Sequence, residues 1–90
     1  MTNKTTEILD ILQEECAEVI QSVSKCRRFG IDAPFMVGTG TQRDNLVKEI
    51  GDVLAMIDLL KEQRVVTTQE LEEAKQAKFN KLRKWSKIYE

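Results

Sequence analysis

The chain has 90 residues, with 14 Lys+Arg against 15 Asp+Glu and a formal net charge of −1; a domain of this size buries only about 60% of its unfolded surface and is marginal alone. The near-zero charge excludes a general nucleic-acid binder, and no apolar run approaches the roughly 20 residues of a membrane span. There is no histidine, and Cys16 and Cys26 lie ten positions apart on one expected helix, which excludes an intramolecular disulfide and a zinc site and leaves oxygen as the ligand for any metal. The polar start is not a signal peptide, so a cytoplasmic protein with reduced thiols is expected.

Three helical segments and one irregular stretch follow from the pattern. The first helix covers about residues 5–28: Ile8, Leu12, Val19 and Val23 form a stripe, Leu9, Cys16 and Ile20 lie beside it, and Gly30 is a stop signal. The next stretch, IDAPFMVGTGT over residues 31–41, holds the only proline and reads as a loop with room for a short helical turn. Connections of this length are often functional.

The second helix opens at TQRD, where Thr41 and Asp44 have capping-box spacing, and runs through NLVKEIGDVLAMIDLL to about residue 63. Its arc holds Leu46, Ile50, Val53, Met56, Ile57 and Leu60, while Val47, Leu54, Ala55 and Leu59 fall outside it, more than two partner helices readily cover. The third helix opens at TTQE, with Thr67 and Glu70 again in capping-box spacing, and runs to about residue 88 with a strongly charged middle. No β-alternation or repeat competes. The expected fold is all-α: a bundle of three main helices per chain, in one domain over residues 1–90, completed by oligomerisation.

The acids are placed unusually against these stripes. LQEECAEVIQS puts Glu14, Glu15 and Glu18 within two turns with no basic residue among them, although like charges at this spacing repel. Glu15 borders the apolar arc, Glu18 lies further round beside Ile11, and Glu14 is nearer the polar side. On the second helix Glu49 falls inside the apolar arc, and Asp52 lies one row further on, beside Leu59. A carboxylate in an apolar stripe must be protonated, paired or bound to a cation. Two helices packed by their stripes bring Glu15 and Glu18 near Glu49 and Asp52, with no evident basic counter-charge. Those donors suit a hard divalent cation, Mg2+ or Mn2+. The first trio alone would read as an ordinary solvated face; the misplaced Glu49 with Asp52 tips the balance toward a site.

EECAE followed by EIGD resembles the E-E-x-x-E and E-x-x-D motifs of the MazG-like all-α nucleoside triphosphate pyrophosphohydrolases, and KEIGDVLAMIDLL is the most similar stretch. The resemblance spans roughly residues 12–60, with a weaker echo in the basic third helix. It implies hydrolysis of an NTP or dNTP between its α and β phosphates, giving monophosphate and pyrophosphate. It also implies Mg2+ held by Glu15, Glu18, Glu49 and Asp52, and a homodimer or homotetramer. Glu14 and Glu15 are the candidate catalytic acids, and Glu14 is left open between ligand, outer support and water-orienting base.

Phosphates also need cations from the protein. Lys78 and Lys81, one turn apart on the third helix, are the leading triphosphate contacts, with Arg27, Arg28 and Arg43 around the loop as weaker candidates. Asn45, one turn before Glu49, either reaches the nucleotide or caps the helix. Phe35, Trp85 and Tyr89 are candidates to stack on a base, though such aromatics more often pack between helices or subunits.

Three rivals stand beside this reading. A di-iron carboxylate bundle pairs its glutamates with histidines, which this chain lacks. A non-catalytic helical interaction module would display its acids, whereas Glu49 is expected to be buried. A metal-dependent phosphohydrolase acting on another phosphate substrate fits the same residues.

Overall fold

Thr2 sits in extended conformation (φ −72°, ψ 162°) with its hydroxyl accepting from the Thr5 N–H at 3.0 Å. This N-cap satisfies a donor that the first turn would leave orphaned, so the first helix begins before residue 5. The computed structural model describes residues 1–90 and has α1 (Asn3–Phe29), α2 (Gln42–Glu62) and α3 (Thr68–Trp85), with no strand. The all-α expectation holds. No helix is long and apolar enough to cross a membrane.

At the far end of α1, Gly30 takes φ 100° and donates its N–H to the Cys26 carbonyl at 2.9 Å. Only glycine adopts that backbone without penalty. Arg27 and Arg28 in the last turn suit the negative end of the helix dipole.

The connecting stretch folds as a compact turn, not as a short helix. Phe35 N–H donates to the Gly40 carbonyl at 2.9 Å, and Thr39 N–H donates to Met36 O at 3.0 Å. An isolated antiparallel bridge joins Pro34 to Thr41. The turn is tied to the start of α2 by Gln42, whose N–H reaches Ala33 O at 2.8 Å and whose side-chain amide reaches Pro34 O at 3.0 Å.

At that start the capping box is present: Asp44 N–H donates to Thr41 Oγ1 at 3.2 Å, and Thr41 N–H donates to Asp44 Oδ2 at 2.9 Å. Gly40 lies against it with φ 87°, and a Cβ there would collide with the Asp44 carboxylate.

The chain divides into two compact units, Met1–Leu60 and Lys61–Glu90. In the first, α1 and α2 pack as a helical hairpin in which Ile8 and Leu60 are buried, and Leu9, Ile11, Leu12, Val19, Leu46, Val53, Met56 and Ile57 are half-buried. Ile20, Val23, Val47, Ile50 and Leu54 remain exposed. Much of the apolar surface of both helices is therefore uncovered.

In the second unit, Arg64 takes φ 58° in the turn after α2. Thr67 and Glu70 then form a complete capping box, as their spacing predicts. Here α3 ends at Trp85, three residues short of the expected end. Ser86 turns extended (φ −132°) and returns both its N–H and its hydroxyl to Leu82 O, at 3.0 and 2.7 Å. A serine side chain that serves the last carbonyls substitutes for a further helical turn. No residue of α3 is buried.

Candidate active site

Glu49 and Asp52, three residues apart on α2, share the helix face turned toward α1, and Glu15 meets them from that helix. Their carboxylate oxygens all lie within 4.8 Å of one another. Glu49 is buried, at 7% exposure, while Glu15 and Asp52 are half-buried. The misplaced glutamate of the sequence pattern is thus the interior member of a three-carboxylate cluster.

The expectation that this cluster has no basic counter-charge is incorrect. Lys48 Nζ lies 2.9 Å from Asp52 Oδ2 and 3.4 Å from Glu49 Oε1. Adjacent helical residues do not face each other, and the long Lys48 side chain meets Glu49 while it reaches one turn ahead to Asp52. The i, i+4 spacing of Lys48 and Asp52 was the available signal.

Electrostatics follow from these contacts. Partial burial pushes the Glu15 carboxyl above its ordinary range, and the charge of Asp52, a hydrogen bond to it and the charge of Glu49 push the same way, against Lys48. Asp52 is held below the ordinary range, chiefly by the hydrogen bond from Lys48. Lys48 is raised by its hydrogen bonds to Asp52 and Glu49, so it stays an ammonium.

A cavity of about 400 Å3 adjoins the cluster, lined by Phe35, Met36, Thr39, Asp44, Asn45, Lys48 and Glu49. Asn45 is held in its wall by a hydrogen bond from its side-chain amide to Ser22 Oγ at 3.1 Å, and Ser22 is 1% exposed. Phe35 lies under Lys25, whose ammonium is 5.2 Å from the ring centroid. The contributions of Ser22, Met36 and Thr39 had no sequence signal, because Ser22 depends on how α1 packs against α2 and the other two on how the turn folds over α2.

The remaining sequence candidates of the first unit lie outside the converging oxygens. Glu14 and Glu18 are exposed on α1. Arg43 is exposed, with its backbone N–H on Ile31 O at 2.9 Å. Arg28 is exposed beside Phe29, 5.3 Å from the ring centroid. Lys78 and Lys81 are exposed on α3, and Trp85 at its end is exposed as well.

The donor set suits a divalent cation. Three carboxylates from two helices offer hard oxygen ligands without histidine or thiolate, and they leave coordination positions for water and phosphate oxygens. A family model described as the MazG nucleotide pyrophosphohydrolase domain matches residues 3–87. Neither the curated proteins nor the solved structures yield a match.

Proposed function

The chain belongs to the MazG nucleotide pyrophosphohydrolase family, and from that premise we propose that it hydrolyses a nucleoside triphosphate, NTP or dNTP, to nucleoside monophosphate and pyrophosphate. The observation that carries the reading is the convergence of Glu15, Glu49 and Asp52 beside the cavity, with Glu49 belonging to both. Hydrolysis adds water across the α–β phosphoanhydride and releases pyrophosphate.

Glu15, Glu49 and Asp52 would hold Mg2+ or Mn2+, with Glu18 completing the set from the next turn of α1. A divalent cation bound there supplies charge neutralisation at the phosphoryl oxygens. Glu49, fixed in the interior, sets the depth at which the triphosphate sits. Glu14 and Glu15 orient the attacking water, and Glu14, which is not among the three converging carboxylates, takes its proton. Asn45, held by Ser22, contacts the nucleoside half in the cavity, and Lys78, Lys81, Arg28 and Arg43 are the further cations offered to phosphate.

The active form is a homodimer or homotetramer. Only Ile8 and Leu60 are buried among the apolar residues. A groove of about 300 Å3 lined by Cys16, Val19, Ile20, Ile50 and Val53 runs along α1 and α2, and a second copy of the chain would cover it.

The test is incubation with the standard ribo- and deoxyribonucleoside triphosphates and Mg2+, with pyrophosphate and orthophosphate measured separately. Pyrophosphate and the monophosphate are expected, and excess chelator should abolish their formation. Orthophosphate as the only product would point to a phosphohydrolase of another kind, and activity in chelator would remove the metal from the reading.

A further inference from the structure

Lys48 occupies an unusual position. Its ammonium sits on two of the three clustered carboxylates, 2.9 Å from Asp52 and 3.4 Å from Glu49, yet its side chain is 66% exposed. It also lines the cavity, together with Glu49. One side chain therefore touches the oxygens offered to a metal and the space offered to a nucleotide.

Those oxygens cannot serve both cations fully. A metal needs carboxylate lone pairs that the ammonium now uses, and a doubly charged ion repels a neighbouring ammonium. Three carboxylates and one ammonium leave the cluster with an excess of negative charge that attracts a divalent cation, and with that cation bound −3 + 2 leaves only −1 on the carboxylates to hold the ammonium. Such a cation would weaken the hold of Glu49 and Asp52 on the ammonium, and the anion that enters beside it is the polyphosphate of the substrate.

We propose that Lys48 is an exchangeable counter-ion. Without metal it neutralises Glu49 and Asp52; a divalent cation displaces it; and the freed ammonium binds phosphate oxygens in the cavity, which makes Lys48 a substrate-binding residue. This rests on the metal-dependent reading above. It explains how a buried Glu49 is tolerated before metal binds, and it couples the two ligands, because displacement by metal is what releases the ammonium for phosphate.

The experiment measures Mg2+ alone and then imidodiphosphate in saturating Mg2+ by calorimetry, for wild type, Lys48→Met and Lys48→Arg. Loss of an exposed competing ion pair should make Lys48→Met bind Mg2+ about two- to fivefold more tightly. Loss of a charged phosphate contact should make it bind imidodiphosphate about tenfold more weakly. Lys48→Arg should keep the imidodiphosphate affinity and bind Mg2+ no more tightly than wild type. If Lys48→Met is too unstable without metal to be titrated, the rise in its thermal midpoint from low to saturating Mg2+ replaces the titration and should exceed the wild-type rise.

Weaker or unchanged Mg2+ binding by Lys48→Met, an equal or smaller thermal rise, or unchanged imidodiphosphate binding would overturn the exchange while leaving the metal reading intact. A wild-type chain that binds no Mg2+ would overturn both.

Discussion

Ser22→Ala removes a hydroxyl from one of the least exposed positions of α1, 1% exposed, and takes from Asn45 the acceptor that its side-chain amide reaches at 3.1 Å. A donor left unsatisfied costs about 1–3 kcal/mol. Asn45 is only half-buried and borders the cavity, so water can replace part of the lost bond and the lower end of that range, about 1 kcal/mol, is expected. In a domain of this length, that lowers the thermal midpoint by about 4–8 °C.

The assay is thermal unfolding of wild type, Ser22→Ala, Asn45→Ala and the double variant at one protomer concentration, because an oligomer's midpoint depends on concentration. The double variant removes both partners, leaves no orphaned amide, and should be less destabilised than the sum of the two single changes. Ser22→Ala should also raise KM severalfold with little change in kcat, since it loosens a cavity wall and spares the carboxylates. A midpoint within about 1 °C of wild type, or strict additivity in the cycle, would refute the claim that Ser22 holds Asn45.

Glu49→Gln should leave stability without metal level or raised, because Lys48 offsets only part of the repulsion among three carboxylates and keeps Asp52 as its partner, while Mg2+ stabilises the variant less than wild type and activity falls by orders of magnitude. Early unfolding without metal, combined with a full Mg2+ gain, would contradict that. Asp44 is held below its ordinary 3.8 by hydrogen bonds from the Thr41 backbone and hydroxyl. A depressed carboxylate contributes stability that is present above that ordinary value and lost as pH falls through the folded one. Asp44→Asn should therefore lower the midpoint by a few degrees near pH 6, with the deficit shrinking in acid; a deficit that grows in acid would reverse the sign. Sedimentation at micromolar concentration should show a species heavier than the 10.4 kDa chain, and Ile20→Glu, in the apolar groove, should shift it toward monomer; a wild-type monomer would refute the self-association.

Local chemistry made much of this protein readable from its sequence. The Thr41–Asp44 and Thr67–Glu70 capping boxes, the Gly30 stop and the apolar periods involve residues within a turn or two of one another, and each is present in the fold. Glu49 was legible because a charge inside an apolar stripe violates a one-helix rule, and the violation is visible without any partner. The end of α3 was not, since a serine hydroxyl choosing Leu82 O over further helix is a competition between nearly equal local options. Which acid of α1 meets α2 depends on the rotation of one helix against the other, and tertiary packing selected Glu15 while Glu14 and Glu18 stayed exposed. Lys48 escaped for a similar reason: helical spacing locates the base of a side chain, but the tip of a flexible lysine goes to whichever charges the assembled site presents. The cavity likewise exists only because the turn over residues 30–41 closes on α2 through hydrogen bonds such as that from Gln42 to Pro34, which no periodicity encodes.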